Sequence, residues 1–276
     1  MESTTRQPPK NRPKRSLGQN FLIDQTVAQR VVDTLDLTPT DTVVEIGPGR
    51  GALTTLLAEW PGRLTAVEMD DALAPELARR YSSDDAVTIV HGDALELDLA
   101  DLVQPGTAYK MVGNLPYNVA SPIIRRFLTA GHRPRLMVVM AQLEVAEAMA
   151  AAPGGMTYMS VEVQLRASVE VLFPVPPEAF RPRPRVTSAV VALIPHRESV
   201  LDLESEERFL EVVRAGFSAR RKQLHNSLGR GLDLGAVDVR TVLETAGIDG
   251  TRRAQTLALP EWGAVYEAFQ KLGWPA

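Results

Sequence analysis

The amino-acid sequence predicts an α/β protein with an open, mostly parallel sheet, followed by a smaller domain built only of helices. The apolar, β-branched run 42–46 leads directly into the glycine-rich segment 47–51 and then into a helical stretch that begins at Ala52. This order is typical of the βα unit of nucleotide-binding folds. Six further runs of strand character follow before residue 195, whereas the apolar spacing after His196 is helical only, with one predicted helix from Lys222 to Leu228. Ahead of the first strand, Asp24 is expected to cap a helix whose buried stripe is formed by Val27, Val31, Val32 and Leu35.

We expect three parts in the chain: a flexible basic arm (1–20), the sheet domain (21–198) and the helical domain (199–276). The first 15 residues contain five basic residues, one acidic residue and three prolines, and prolines prevent the amphipathic helix of a targeting peptide. No apolar run approaches the roughly 20 residues that a membrane-spanning helix needs. The sequence therefore predicts a cytoplasmic protein that does not act in a membrane.

Composition excludes several kinds of site. The chain has no cysteine, and its four histidines are scattered, so disulfides and thiol catalysis are excluded and no metal centre is expected. Because the formal net charge is −4, a nucleic-acid surface would have to come from local basic clusters. The densest cluster is Arg220, Arg221 and Lys222. The proline-spaced loop 180–185 interleaves three arginines with Phe180, which suits a flipped base and its phosphates, although such loops are also common as plain surface.

The glycine-rich loop favours a cationic ligand over a dinucleotide. Its spacing is G-x-G-x-G, whereas NAD-binding enzymes use G-x-G-x-x-G. Glu45 stands two residues before Gly47 and would repel a pyrophosphate at the helix N-terminus, where anions otherwise bind. S-adenosylmethionine, which has no phosphate and carries sulfonium and ammonium charges, suits this loop better.

Polar side chains end the next predicted strands. Glu68 lies about 20 residues beyond the glycines, where related folds place a ribose-binding carboxylate. Asp93 follows the third strand and could accept from the adenine amine of the cofactor, and Asn114 ends the fourth. Each acid alone is more often a solvated loop residue. Ligands of open α/β sheets bind across the strand carboxyl ends, however, so we expect these groups to share one crevice.

The segment Asn114, Leu115, Pro116 and Tyr117 is the candidate catalytic group. The lone pair of an amine conjugated to a purine is delocalised into the ring, so the amine is a weak nucleophile. The side-chain oxygen of Asn114 and the carbonyl of Leu115 can accept both N–H hydrogens and return that pair to nitrogen, while Tyr117 stacks on the ring. The alternative is an ordinary turn at the end of a strand.

Several segments then match one family in order: 14–22 (KRSLGQNFL), 44–49 (VEIGPG), 92–94 (GDA), 113–118 (GNLPYN), 180–190, 217–228 and 253–257 (RAQTL). Together they resemble the ribosomal RNA small-subunit adenine N6,N6-dimethyltransferases of the KsgA/RsmA type. The glycine loop alone would be a weak signal, but the ordered set covers nearly the whole chain and is specific.

This resemblance implies a class I S-adenosylmethionine-dependent methyltransferase, with a Rossmann-like seven-stranded sheet and a small C-terminal all-helical domain. It implies dimethylation of N6 on two adjacent adenines in the 3′-terminal hairpin of 16S rRNA, within the immature 30S subunit, with release of S-adenosylhomocysteine. We further expect a monomer that uses no metal. By position, the cofactor contacts would be Gln19, Asn20, Leu22, Gly47, Glu68, Asp93 and Asn114. The target base would be held by residues 114–117 and Phe180, and the rRNA by Arg220, Arg221 and Lys222.

Other functions share part of this pattern. An Erm-type methyltransferase acting on 23S rRNA would have the same crevice, but segment 217–228 favours the small-subunit type. A non-catalytic RNA-binding assembly factor is disfavoured because the tetrapeptide 114–117 is intact beside Glu68 and Asp93. An NAD oxidoreductase is disfavoured by the glycine spacing and Glu45.

Overall fold

The computed structural model describes residues 19–234 and 236–274. The basic arm predicted for residues 1–20 therefore lies outside the described residues, apart from Gln19 and Asn20. The strands are β1 (Phe21–Leu22), β2 (Thr42–Ile46), β3 (Arg63–Glu68), β4 (Val87–His91), β5 (Tyr109–Asn114), β6 (Leu136–Gln142), β7 (Ala167–Val175), β8 (Phe180–Arg181) and β9 (Ser188–Pro195). The α-helices are α1 (Gln25–Asp33), α2 (Ala52–Ala58), α3 (Leu73–Arg80), α4 (Ala120–Thr129), α5 (Leu143–Ala150), α6 (Tyr158–Gln164), α7 (Glu206–Phe217), α8 (Leu224–Gly231), α9 (Ala236–Thr245) and α10 (Leu259–Lys271).

The predicted fold class is confirmed, because seven strands form one sheet in the order β4-β3-β2-β5-β6-β9-β7. Strands β4, β3, β2, β5 and β6 are parallel, and β9 pairs antiparallel with β6. The order in which the chain adds strands reverses at β2: β3 and β4 lie on one side of it, whereas β5 and β6 lie on the other. In open α/β folds this switch point is where ligands bind, beyond the carboxyl ends of the strands.

Helix α1 shows how the local sequence builds one layer over the sheet. Asp24 is the N-cap, as predicted, and its side chain accepts from the backbone N–H groups of Thr26 and Val27 at 2.9 and 3.1 Å. The predicted apolar stripe of α1 is buried, and it shares one hydrophobic cluster with central-strand residues that include Val43 and Val112.

The start of strand β5, at the end opposite to Asn114, is held by a buried lysine. Lys110 Nζ donates to the carbonyls of Leu35 and Asp36, both at 2.6 Å, and to Asp41 Oδ2 at 2.9 Å. Arg135 adds a second ion pair to Asp41. A buried charge is tolerated when it is paired and hydrogen-bonded in this way. The cluster joins the turn after α1 to the strand that ends in Asn114.

Chain contacts divide the protein into two compact units, one made of the described residues up to Ala146 with Glu170–Pro195, and the other of Glu147–Val169 with the described residues from His196 onward. The second unit therefore contains helix α6, which the sequence analysis did not identify and whose stretch it had placed in the sheet domain. The core of the second unit is apolar, and Trp262 and Phe209 in it are fully buried. None of the helices in the described part of the chain is both long and apolar enough to span a bilayer.

The structure differs from the predicted secondary structure in short elements and in the start of one helix. Strands β1 and β8, each of two residues, were not predicted; they pair with each other as a separate small sheet. Helix α8 begins at Leu224 rather than at Lys222. Its predicted start was wrong because the Lys222 N–H donates to the Ala219 carbonyl at 2.8 Å and closes a turn instead.

Candidate active site at the carboxyl ends of the strands

A cavity of about 210 Å³ lies where strands β2, β3, β4 and β5 end. It brings together most of the residues that the sequence analysis selected, while their individual roles stay predictions. The predicted residues that line it are Gln19, Asn20, Leu22, Gly47, Glu68, Asp93, Asn114, Leu115, Pro116 and Tyr117.

The loop between β2 and α2 requires glycine for its backbone conformation. Gly47, Gly49 and Gly51 have φ values of 69°, 59° and 85°, a region that residues with a side chain rarely adopt. A Cβ atom on Gly49 would lie 3.0 Å from the ring of Phe21, and the Arg50 guanidinium lies 4.7 Å from the centre of that ring. Phe21 therefore covers the loop. The sequence analysis gave it no role, although it belongs to the family-like segment 14–22.

Glu68 ties the glycine loop to the end of β3. Its Oε2 accepts from the Gly49 N–H at 2.8 Å, and its Oε1 accepts from the Asp70 N–H at 2.8 Å. Burial raises the pKa of Glu68, and these two backbone donors oppose the rise. Because each carboxylate oxygen has two lone pairs, Glu68 can order the loop and still accept hydrogen bonds from a ligand.

Glu45 is a buried acid at the floor of the cavity, with 1% of its surface exposed. Burial raises its pKa to about 8, and neighbouring Glu68 adds to the rise, while the polar groups of nearby Thr54 oppose it. Glu45 Oε2 has no hydrogen-bond partner among the described residues. A buried carboxylate with a spare acceptor is stabilised when a cation or donor is placed against it.

The charges around the cavity suit S-adenosylmethionine. Three carboxyl groups line it, those of Glu45, Glu68 and Asp93, against one guanidinium, that of Arg50. A ligand with sulfonium and ammonium groups would therefore enter a field of the opposite sign, whereas a pyrophosphate would meet a like charge.

The loop after β4 is held in place from two sides. Asp93 Oδ1 accepts from the Leu95 N–H at 2.8 Å, which gives the loop a local turn. Arg126 of α4 donates to the carbonyls of Leu95 and Leu97. Since only Asn118 and Val119 separate the tetrapeptide from α4, Arg126 links the predicted cofactor loop to the predicted catalytic segment. Sequence patterns gave no signal for this contact.

The Asn114 side chain has a defined orientation. Its Nδ2 donates to the backbone carbonyl of Asn20 at 2.9 Å. A carbonyl oxygen can only accept, so the amide nitrogen must face Asn20 and Oδ1 must face the other way. Oδ1 is therefore not used in this bond, and its role as an acceptor for the target amine stays a prediction.

The remainder of the tetrapeptide forms a turn before α4, in which the Val119 N–H donates to the Pro116 carbonyl at 3.0 Å. Leu115 lines the cavity although only 1% of its surface is exposed, and the acceptor role of its carbonyl stays a prediction. Tyr117 is half-buried, and its hydroxyl lies 2.6 Å from Ser188 Oγ. Burial raises the pKa of Tyr117, and the contact with Ser188 opposes the rise, so the phenol is neutral at physiological pH.

Phe180 does not line the cavity. Its side chain is 2% exposed and packs in the same hydrophobic cluster as Leu22 and Val190. Residues alternate in the extended segment, so Phe180 points into the core while Arg181 is exposed. The predicted contact of Phe180 with the target base would require its ring to leave this core.

Arg220, Arg221 and Lys222, called the basic turn below, lie between α7 and α8 in the second unit. All three side chains are exposed. Within the described ranges none of them forms an ion pair, so their charges are available to an anionic partner.

Comparison with known proteins assigns the family. A family model described as "Ribosomal RNA adenine dimethylase" matches residues 10–271. The chain belongs to this family. The predicted resemblance and the predicted enzyme class, an rRNA adenine dimethyltransferase, are therefore confirmed.

Relatives of this dimethylase are similar over nearly their whole length. The chain is 43% identical over 273 residues to "Ribosomal RNA small subunit methyltransferase A" of Pelotomaculum thermopropionicum, covering 95% of this chain and 92% of the relative. It is 40% identical over 267 residues to the protein of the same name from Geobacter metallireducens, covering 95% and 97%.

Solved structures show the same fold. The 23S rRNA methyltransferase ErmE superimposes with a TM-score of 0.71 at 27% identity, over 91% of this chain and all (100%) of that one. A dimethyladenosine transferase from Plasmodium falciparum superimposes with a TM-score of 0.77 at 23% identity, over 91% and 98% of the two chains. The fold is therefore that of the rRNA methyltransferases.

Proposed function

We propose that this rRNA adenine dimethylase transfers methyl groups from S-adenosylmethionine to N6 of two adjacent adenines in the 3′-terminal hairpin of 16S rRNA and dimethylates each of them during assembly of the small subunit. Relatives at about 40% identity carry a small-subunit name. The observation that carries the proposal is the Asn114 amide, whose 2.9 Å bond to Asn20 leaves Oδ1 as an acceptor at the cavity.

Different cavity residues would bind different parts of the cofactor. S-adenosylmethionine, when bound, supplies a methyl group made electrophilic by the sulfonium charge. Glu68 would accept from the ribose hydroxyls, and Asp93 from the adenine amine. Gln19, Asn20, Leu22 and Gly47 would complete the binding surface. Glu45, which its raised pKa of about 8 keeps largely protonated in the absence of the cofactor, would ionise against the cationic end of the cofactor. Its buried and unpartnered Oε2 supports this role.

Asn114 activates the target amine. Its Oδ1 and the Leu115 carbonyl would each accept one N6–H hydrogen, which localises the nitrogen lone pair and aims it. Fixed acceptors of this kind need no reorganisation during the reaction. Positioning accounts for most of the remaining acceleration, so no strong base is required, and the N6 proton leaves to water once the nitrogen is alkylated.

Tyr117 supplies the aromatic platform. Its ring would stack on the target adenine, which must be unpaired or flipped because N6 is engaged in a duplex. Pro116 sets the turn that carries the ring to the cavity, since its carbonyl accepts from the Val119 N–H at 3.0 Å. Tyr117 thereby fixes the base plane relative to Asn114.

The RNA outside the target nucleotide would be bound by the basic turn in the helical unit. Three exposed cations on one turn suit phosphate groups, which position an RNA without reading its sequence. We propose that the substrate is 16S rRNA within the immature 30S subunit, that the enzyme acts as a monomer, and that the reaction takes place in the cytoplasm.

Nucleoside mass spectrometry of rRNA from cells with and without the protein tests this function. We expect dimethyladenosine in the small-subunit rRNA only when the protein is present. Dimethyladenosine that depends on the protein but occurs in the large-subunit rRNA would instead establish the Erm-type alternative. Unchanged dimethyladenosine in both subunits would refute the proposed activity.

A further inference from the structure

Tyr117 lies in a turn, where the regular backbone ladder of β5 has ended and α4 has not begun. Its backbone position is set by Pro116 and by the turn bond to Val119, but neither contact restrains the side chain. A half-buried aromatic ring in such a place keeps rotational freedom unless a tertiary contact holds it. The hydroxyl group at the tip of the ring makes that contact.

Ser188 is a rigid partner for this hydroxyl. It is the first residue of β9, its backbone pairs with Gln142 of β6, and its side chain has no solvent exposure. The adjacent Thr187 carbonyl accepts from the Leu143 N–H at 3.0 Å, which continues the pairing beyond the strand. Ser188 does not line the cavity, so it can act on a substrate only through Tyr117.

We propose that Ser188 is a positioning residue for methyl transfer, which holds the Tyr117 ring through the 2.6 Å hydrogen bond between the two hydroxyls. Either hydroxyl can donate in this bond, and in both cases it joins the phenolic oxygen to a fixed Oγ. Because the phenolic oxygen lies on the long axis of the ring, the bond fixes the direction of that axis. A base stacked on the ring is thereby aligned with the Asn114 acceptor. This inference rests on the proposed function.

The hydrogen bond can be removed from either side. Ser188→Ala deletes the buried hydroxyl, and Tyr117→Phe deletes the phenolic hydroxyl at the cavity while leaving the aromatic ring in place. We expect each change to slow single-turnover methyl transfer to immature small subunits by about five- to tenfold, the rate equivalent of one neutral hydrogen bond. The affinity for S-adenosylmethionine, measured by calorimetry, should not change.

The double variant gives the decisive comparison. If both hydroxyls act only through their mutual bond, Ser188→Ala combined with Tyr117→Phe loses no more rate than either change alone. A product of the two single losses would show independent effects and would overturn the proposal. A Ser188→Ala protein with the wild-type rate would overturn it as well.

A matched variant separates positioning from general loss of a buried serine. Ser160, in the other compact unit, also has no solvent exposure, and its Oγ donates to the Ala148 carbonyl at 2.7 Å. Ser160→Ala should lower the melting temperature without changing the methyl-transfer rate. If it slowed the reaction as much as Ser188→Ala, the rate loss would reflect destabilisation and the proposal would fail.

A spectroscopic measurement tests the hydrogen bond between Tyr117 and Ser188 in the absence of substrate. In a ¹³C-tyrosine NMR spectrum, Tyr117→Phe identifies the signal of the Tyr117 ring. Ser188→Ala should shift that signal more than those of the other tyrosines. An unchanged signal would refute the restraint of the Tyr117 ring by Ser188. Absence of methyl transfer by the wild-type protein would refute the proposed function, whereas an active wild type with an equally active Ser188→Ala variant refutes only the role of Ser188.

Discussion

The Asn114→Ala substitution tests the chemistry of the site most directly. It removes the Oδ1 acceptor proposed for the target amine and the Nδ2 donor that bonds to the Asn20 carbonyl at 2.9 Å. The second loss costs about 1 kcal/mol of stability, as for a typical partly buried hydrogen bond, so the protein should fold. Because Asn114 is also a predicted cofactor contact, the rates are compared at saturating cofactor.

Loss of the acceptor has the larger effect. Removing one preorganised group that acts in the transition state lowers kcat by about 100- to 1,000-fold in other enzymes, equivalent to about 2.7–4 kcal/mol. We therefore expect Asn114→Ala to reduce methyl transfer by this factor at saturating cofactor and RNA, with little change in KM. The cause is an interaction made chiefly in the transition state.

The assay is single-turnover transfer of a labelled methyl group to immature small subunits, with the melting temperature measured in parallel. Asn118→Ala is the matched control, because Asn118 also lines the cavity but its side chain is exposed. Asn118→Ala should retain nearly full activity. Turnover of Asn114→Ala within a few-fold of wild type, or an equal loss in Asn118→Ala, would refute the role assigned to Asn114.

Three further predictions follow from the loop, the buried acid and the basic turn. Gly49→Ala should weaken S-adenosylmethionine binding by about tenfold or more in calorimetry, because its Cβ would lie 3.0 Å from the ring of Phe21. The control is Gly106→Ala, with φ +78° and open space around it, which should cost only the backbone strain, about 1 kcal/mol of stability. Equal cofactor affinity of the two variants would contradict the role of Gly49. Glu45→Gln should remove a pH dependence of the free energy of unfolding. Because the pKa of Glu45 is about 8 in the folded protein against 4.5 in the unfolded chain, the wild type loses stability as pH rises between these values, by at most about 1.4 kcal/mol per pH unit. A difference in unfolding free energy between the two proteins that stays constant across this range would show that the pKa is not raised. Replacing residues 220–222 by alanine should weaken binding to immature small subunits and reduce the salt slope by about 3, and an unchanged slope would exclude the basic turn as a docking surface.

The sequence was informative wherever a function depends on consecutive residues. The run from β2 through the glycine loop to α2, the tetrapeptide 114–117 and the cap at Asp24 are local patterns, in which a few neighbours determine backbone conformation and chemistry. Parallel strands also end at one edge of a sheet. The meeting of Glu68, Asp93 and Asn114 at one cavity therefore followed from their positions at strand ends.

Sequence patterns were less reliable where a side chain can turn to either side of the backbone. Phe180 stands among arginines, which suggested an exposed aromatic ring, yet it is buried because β8 pairs with β1 and directs it into the core. The start of α8 moved by two residues because a turn bond to Ala219 competes with the helix. Local propensity does not determine such outcomes when a tertiary or turn contact is available.

By itself, the sequence determined the fold class, the positions along the chain of the strands that carry the site, and the chemical groups at the ends of those strands. Tertiary structure alone decided how those groups are held: Asn114 by the Asn20 carbonyl, Tyr117 by Ser188, and the base of β5 by the buried Lys110. The physical reason is that each of these contacts joins residues more than 65 positions apart, so neither periodicity nor local spacing contains any trace of it.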